Sequence, residues 1–139
     1  MKTVLVTGGA GYIGSNLTPE LLKTYKVRIL DNLTYGYYGI VPHINNPDFE
    51  FINGDIRYPS IIKKSLKDID LVIHLAAIVG YPACKAQPKL AKEINYEATK
   101  KLVEISEVPI IFTSTGSNYG HVTDICSEET SLNPLTEYG

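Results

Sequence analysis

Four glycines stand close together near the start of the chain, in the segment TGGAGYIG that runs from Thr7 to Gly14. Three of them satisfy the spacing G-x-G-x-x-G, beginning at Gly9. Glycine permits a tight turn out of a strand, lets backbone amides approach a phosphate group, and lets the following helix pack closely. The segment therefore indicates a loop that binds nucleotide phosphates at the positive end of a helix.

An acidic residue follows at the distance that a dinucleotide site requires. Asp31 ends the apolar run KVRILD and lies twenty residues beyond Gly11. A carboxylate at about this distance binds the adenosine ribose hydroxyls. Because a carboxylate repels a 2′-phosphate, Asp31 favours NAD over NADP, and the one nearby cation, Arg28, lies inside the same strand. A glycine turn beside an unrelated surface Asp is the simpler alternative, which the strand–loop–helix context argues against.

Five short apolar runs predict the strands that position these groups. The predicted strands are Thr3–Thr7, Lys26–Asp31, 50–53, 70–75 and 109–113. Helical patterns separate them over 12–23, 60–67 and 88–107, and Pro19 should bend the first helix. The segments 32–48 and 114–139 are predicted to be mostly loop. Strands alternating with helices predict right-handed crossovers and an α/β fold with helices on both faces of a parallel sheet.

Composition and charge limit the remaining function classes. The chain has 139 residues, enough for one domain, and its net charge of −2 gives no electrostatic reason to bind nucleic acid or an anionic membrane. No apolar run approaches the roughly 20 residues that span a bilayer. Cys84 and Cys126 are expected to be free thiols, and the scattered His43, His74 and His121 indicate no metal site. These features predict a cytoplasmic protein.

Further segments have the form of one family's motifs. They are Gly54-Asp55 after the third strand, HLAA at 74–77, Asn95 with Thr99 in the long helix, and TST at 113–115 followed by Tyr119-Gly120. With the glycine loop they make the chain resemble the extended short-chain dehydrogenase/reductases, specifically the NAD-dependent sugar-nucleotide epimerase/dehydratase group. The resemblance implies a Rossmann-like doubly wound parallel sheet, here of about five strands, that binds NAD.

The resemblance also implies which residues contact the cofactor. They are Gly8, Gly11, Tyr12, Ile13, Gly14, Asp31, Asn32, Asp55, Ile56, Leu75, Ala76, Ala77, Asn95 and Thr113. Asp55 is expected to contact the adenine amine. His74 is expected to be a packed histidine and not an acid or base. Tyr81 and Cys84, which follow the fourth strand, are candidates for substrate contacts.

Two residues match the family's catalytic positions. Thr115 matches the Ser/Thr that hydrogen-bonds the reacting sugar hydroxyl, and Tyr138 matches the tyrosine base of a Tyr-x-x-x-Lys motif. A phenol has a pKa near 10 and needs a nearby positive charge to act as a base near neutral pH. The motif's lysine would stand at position 142, beyond the 139 residues. The implied reaction is reversible oxidation of a nucleotide-activated sugar by hydride transfer to NAD.

Several alternatives remain open at this point. The family's dehydratases carry an Asp-Glu pair where this chain has Gly116 and Ser117, so an epimerase or dehydrogenase is favoured over a dehydratase. A same-family dehydratase or reductase and a non-catalytic NAD-binding module are the alternatives. We expect residues 1–139 to be the NAD-binding domain of a longer enzyme, inactive alone, whose parent forms a homodimer through the long helix. The strand residues 110–112 would then lie on an open edge that invites pairing with another chain.

Overall fold

A five-stranded parallel sheet in the order β3-β2-β1-β4-β5 organises the computed structural model, which describes residues 1–139. The strands are β1 (Thr3–Thr7), β2 (Lys26–Asp31), β3 (Phe49–Asn53), β4 (Leu71–His74) and β5 (Ile110–Phe112). Each predicted strand forms with its ends within one residue of those expected. The predicted α/β class and the Rossmann-like, doubly wound topology are confirmed.

Five α-helices accompany the sheet: α1 (Tyr12–Leu21), α2 (Pro59–Ser65), α3 (Tyr81–Ala86), α4 (Pro88–Lys92) and α5 (Thr99–Ile105). α1 contains Pro19 and ends two residues after it. α3 is absent from the predicted elements, because six residues are too few to establish a helical period. No helix has both the length and the apolar character needed to cross a membrane.

The predicted helix over 88–107 has an irregular centre. α4 continues into α5 through a π-helical turn, Glu93–Ala98. The helix ends at Ile105, two residues before the predicted end. In this helix Leu90, Ile94, Ala98 and Leu102 recur at a strict spacing of four. With 3.6 residues per turn, such a row drifts by about 40° at each step. The wide turn between Ile94 and Ala98 offsets part of this drift, and Ile94, Ala98 and Leu102 all pack in the same core.

Helices cover both faces of the sheet, as predicted. On β1, Val4 and Val6 face one core, which Leu17 and Leu21 of α1 cover. Leu5 faces the opposite core, which α2 and α5 cover. The central strands β1 and β4 are therefore buried on both sides, which explains their continuous apolar runs.

The two predicted loop regions are mostly irregular. The segment 32–48 holds one short 3-10 helix, Val41–His43, and the segment 114–139 holds another, Gly116–Tyr119. Tyr138 lies in a turn near the end of the second segment. Cys84 is buried and Cys126 is exposed, and both are free.

The edge strand β5 pairs with β4 alone. Ile111 is 52% exposed and Phe112 is 56% exposed. The prediction of an apolar open edge at this strand is confirmed.

Candidate functional site

Three glycines of the loop after β1 are required by the chain's own packing. Gly8 has a φ of +72°, and a Cβ there would lie 2.7 Å from the backbone of Ala76. A Cβ at Gly9 would lie 2.7 Å from the side chain of Ile29. A Cβ at Gly14 would overlap the backbone of Gly9. These glycines let the loop lie against β2 and the segment after β4, and let α1 begin close to the loop.

Gly11 differs, because its own fold does not require glycine. Its φ of −75° and ψ of −175° are extended values that any residue adopts. A Cβ there would meet only the Gly8 carbonyl, at 3.3 Å. The missing side chain instead leaves open access to the start of α1, where the amides of Tyr12, Ile13 and Gly14 donate to no group of the chain.

This opening fits a pyrophosphate. The first turn of α1 contains no acidic residue, and no side chain caps the helix. Free amides at the positive end of a helix attract and bind phosphate oxygens. The residues present therefore fit the phosphates of NAD, although the individual contacts predicted for them remain predictions.

Two backbone amides hold Asp31 beside the opening at Gly11, which together with the free amides of Tyr12, Ile13 and Gly14 is called the cradle below. Ala10 N donates to its Oδ2 at 3.1 Å, and Leu33 N donates to its Oδ1 at 2.7 Å. Arg28, the nearby cation, is directed elsewhere. Its Nε donates to Glu50 Oε2 at 2.7 Å, and its Nη1 donates to the Ser65 carbonyl at 2.9 Å. The carboxylate at the end of β2 thus has no arginine partner that would favour a 2′-phosphate.

Asp55, at the end of β3, is bound by Arg57. The Arg57 backbone amide donates to Oδ1 at 2.9 Å, and its Nη2 donates to Oδ2 at 2.7 Å. This bonding holds the pKa of Asp55 below its usual value, with a smaller contribution from the Asn32 side chain, although burial opposes it. Arg57 Nη1 also donates to Glu93 Oε2 at 3.0 Å. Asp55 and Glu93 together raise the pKa of the guanidinium.

Sequence reasoning missed Arg57 and Glu93. Arg57 stands two residues after Asp55, and that spacing is the only sequence signal for the pair. Glu93 lies 36 residues further along the chain, so its contact is visible only in the fold. Ile56, between the two bonded residues of the loop, is buried in the core at 5% exposure.

Asn95 holds the loop after β4 with both ends of its amide. Its Oδ1 accepts from Ile78 N and its Nδ2 donates to Ile78 O, both at 2.8 Å. The predicted cofactor residues Leu75, Ala76 and Ala77 lie in this loop, and Leu75 N donates to Thr7 O at 3.0 Å. Asn95 is thus a support for the loop, and its predicted contact with the cofactor remains a prediction.

His74 is a packed histidine that joins three elements. It is 2% exposed, its Nδ1 lies 2.6 Å from Thr7 Oγ1, and its Nε2 lies 2.8 Å from Thr99 Oγ1. Burial lowers the pKa of His74 to about 4. The ring is neutral at physiological pH, which is consistent with the expectation that it does no acid or base work.

Thr113 and Thr115 follow β5 and have different hydrogen bonds. Thr113 Oγ1 donates to the His74 carbonyl at 2.9 Å, which continues the pairing of β5 with β4. Thr115 Oγ1 accepts from Ser117 N at 3.2 Å and caps the 3-10 helix. The Thr115 hydroxyl proton remains free to be donated.

The segment that carries Tyr138 packs against the segment that carries Thr115. Asn133 N donates to Asn118 O at 2.9 Å. A Cβ at Gly139 would lie 2.6 Å from Ser117 O. The fold thus brings together the two segments, although Thr115 does not line the cavity that Tyr138 lines.

Tyr138 lines a cavity of about 590 Å³ beside α3 and α4. Tyr81 and Cys84, the candidates for substrate contacts, line the same cavity, as do Lys85 and Lys92. Cys84 Sγ donates to Ile78 O at 3.3 Å, and burial raises the pKa of this thiol. Cys84 is therefore a packing residue and not a reactive thiol. No three His, Cys, Asp or Glu side chains form a group that could hold a metal ion.

Comparison with known proteins extends this description. A model of the NAD dependent epimerase/dehydratase family matches residues 4–139. A putative UDP-glucose 4-epimerase from Methanocaldococcus jannaschii is 37% identical to this chain, over 98% of the chain and 46% of the relative. A UDP-glucose 4-epimerase from Neisseria meningitidis serogroup A is 35% identical, over 86% of the chain and 38% of the relative. The chain thus spans less than half the length of the curated relatives that it matches.

Two solved structures have nearly the same fold over the whole chain. The UDP-N-acetylglucosamine 4-epimerase from Methanobrevibacter ruminantium, in complex with UDP-N-acetylmuramic acid, has a TM-score of 0.90 and 32% identity, covering 99% of this chain and 46% of that one. The UDP-glucuronic acid 4-epimerase from Bacillus cereus, in complex with NAD, has a TM-score of 0.86 and 36% identity, covering 99% and 47%.

Proposed function

This chain belongs to the NAD-dependent epimerase/dehydratase family, and we propose that it is the NAD-binding part of an enzyme that reversibly oxidises a nucleotide-activated sugar. The observation that carries the proposal is the open cradle at Gly11, with free amides at the start of α1 and the Asp31 carboxylate beside it. NAD bound in this position would supply the hydride acceptor for the reaction.

Each group of the chain has a defined task in this proposal. The amides of Tyr12, Ile13 and Gly14 bind the pyrophosphate, and Asp31 accepts hydrogen bonds from the adenosine ribose hydroxyls. Thr115 donates a hydrogen bond through its free hydroxyl to the reacting sugar oxygen and keeps its own proton. Tyr138 removes a proton from that oxygen. A phenolic base requires a nearby positive charge near neutral pH, and the lysine expected at position 142 would supply it.

Epimerisation is the reaction that we favour. Gly116 and Ser117 follow Thr115 and carry no carboxylate that could assist the elimination of water. Both relatives and both solved structures described above are 4-epimerases of UDP-sugars by name, the Methanocaldococcus relative as a putative one. We extend the proposal to a UDP-sugar or related nucleotide sugar as substrate, to a homodimer of the longer protein, and to the cytoplasm as its location.

Titration calorimetry with NAD and with NADP tests the cofactor assignment. We expect the chain to bind NAD more tightly than NADP, because Asp31 repels the 2′-phosphate and Arg28 is engaged elsewhere. Asp31→Ala should narrow this preference, since it removes both the ribose contacts and the repulsion. Asp124→Ala, which removes an exposed carboxylate from the segment after β5, is the matched control and should leave the preference unchanged. Equal affinity for the two cofactors in the unmodified chain, or no binding of NAD, would contradict the proposal.

A further inference from the structure

A chain of ion pairs joins the end of β3 to the π turn. Arg57 presents three N–H donors to the Asp55 carboxylate: its backbone amide, its Nε and its Nη2. Nε lies 3.1 Å from both carboxylate oxygens, so the guanidinium meets the carboxylate side-on. A planar fork that bonds both oxygens fixes the plane of a carboxylate, which a single point charge does not do.

The far end of Arg57 is fixed as well. Its Nη1 donates to Glu93 Oε2 at 3.0 Å, and Glu93 is the first residue of the π turn. Asn95, two residues later in the same turn, holds Ile78 after β4. One turn of helix therefore anchors the loops that follow two different strands.

Asp55 needs such support because it is largely buried. Its side chain is only 15% exposed, whereas those of Arg57 and Glu93 are 33% and 37% exposed. A carboxylate that leaves water requires a partner charge and hydrogen bonds for its oxygens. A carboxylate accepts about four hydrogen bonds, so the three donors of Arg57 stabilise Asp55 and leave it able to accept from an incoming group.

We propose that Arg57 is a positioning residue, which orients the Asp55 carboxylate to accept a hydrogen bond from the adenine amine of NAD, and that Glu93 in turn orients Arg57. This inference rests on the proposed NAD-binding function and adds to it the base selectivity of the adenine end. A carboxylate held in one plane meets the amine without losing rotational freedom on binding. A base that has a carbonyl oxygen in place of the amine would instead bring a partial negative charge against the Asp55 carboxylate.

Nicotinamide hypoxanthine dinucleotide, in which an oxygen replaces the adenine amine, tests this inference. We expect the unmodified chain to bind NAD about tenfold more tightly than this analogue, the usual effect of one hydrogen bond to a charged group. Asp55→Ala should abolish the difference. Arg57→Lys, which keeps the charge and loses the fork, should reduce it to about threefold or less, with most of the loss in NAD affinity. Glu93→Gln should reduce it partly.

The control is Lys101→Met, because Lys101 lines the same hollow as Arg57 and Glu93 but bonds Glu104. It should leave the ratio of the two affinities unchanged. A purely structural role for Arg57 would weaken both dinucleotides by the same factor in Arg57→Lys, and that result would overturn the inference. If Glu93→Gln has the same ratio of the two affinities as the unmodified chain, Glu93 does not orient Arg57, and that part of the inference is overturned. Equal binding of both dinucleotides by the unmodified chain would overturn the inference while leaving the proposed function intact, whereas no binding of NAD would overturn both.

Discussion

At the scale of single residues, the glycines of the loop after β1 divide into two groups. Gly8, Gly9 and Gly14 make room for the chain's own atoms, whereas a Cβ at Gly11 would meet only the Gly8 carbonyl. The same residue type thus serves folding at three positions, and under the proposed function it serves NAD binding at the fourth. The two roles can be separated by substitution.

Gly11→Ala should weaken NAD binding at least tenfold, because its Cβ would project into the approach to the amides of α1. Its free energy of unfolding should change by no more than about 1 kcal/mol, since alanine readily adopts the Gly11 backbone angles. Calorimetric titration with NAD and thermal denaturation measure the two effects.

Gly14→Ala is the matched comparison. Its Cβ would overlap the backbone of Gly9, so we expect a loss of stability of about 3 kcal/mol whether or not NAD is present. Unchanged NAD affinity in Gly11→Ala would show that the opening at Gly11 is not where the phosphates bind.

Sequence reasoning could find some site residues and not others. The glycines and Asp31 could be found because their spacing along the chain is itself the signal for a strand–loop–helix unit. Arg57 and Glu93 could not, because an arginine and a glutamate 36 residues apart become partners only when α4 and the π turn pack beside the end of β3.

At the scale of elements, His74 connects β4 with β1 through Thr7 and with α5 through Thr99. The ring is buried between these elements and forms both bonds while neutral. Protonation would place an imidazolium in a site that excludes water. The junction of the three elements therefore depends on pH.

The free energy of unfolding should fall as the pH is lowered from about 6.5 to about 4. The folded pKa of His74, about 4, lies below the ordinary histidine pKa of about 6.5. The unfolded chain therefore binds more protons within this window, and stability is fully present above 6.5 and lost as the pH falls. The loss attributable to His74 should be about 1 kcal/mol between pH 7.5 and 5.5.

Urea denaturation at a series of pH values measures this dependence, with His74→Gln as the comparison. Glutamine does not titrate, so the variant should lose stability less steeply across the window, whatever its stability at pH 7.5. Parallel curves for the two proteins would mean that His74 does not titrate as its burial implies.

The elements themselves could be predicted unevenly. The five strands were found because β-branched runs bounded by loops have a strong signal over four to six residues. α3 was missed because it spans only six residues, begins after Gly80 at a φ of +86°, and carries Pro82 in its first turn. The only trace of the π turn in the sequence is the spacing of four between the apolar residues of this helix. An unbroken α-helix can have the same spacing, so the turn could not be predicted.

At the scale of the whole molecule, the open side of β5 is the least protected surface of the sheet. Ile111 and Phe112 are exposed there beside backbone groups that have no neighbouring strand. Apolar edge strands of this kind pair with other chains. The 139-residue chain should therefore self-associate as its concentration rises.

Ile111→Lys should reduce this self-association, because a charged side chain on an edge strand opposes strand pairing. Ile44→Lys places the same charge in the segment that leads into β3, at the opposite edge of the sheet, at a residue that is 59% exposed, and should have little effect. Sedimentation velocity over a range of concentrations measures the difference. If Ile44→Lys dissociates the assemblies as well as Ile111→Lys does, the association does not run through the β5 edge.

The π turn also limits which length changes the chain can accept. A π turn is equivalent to one residue inserted into an α-helix, so deleting an exposed residue of the turn such as Glu97 would restore regular helical hydrogen bonding and leave the flanking segments close to their present orientation. α5 is already regular, so deleting one of its residues would rotate the residues after the deletion by about 100° relative to those before it. Leu102 would then leave the core in which Ala98 is buried. The chain should therefore accept the loss of one residue within the π turn more readily than the loss of one residue within α5.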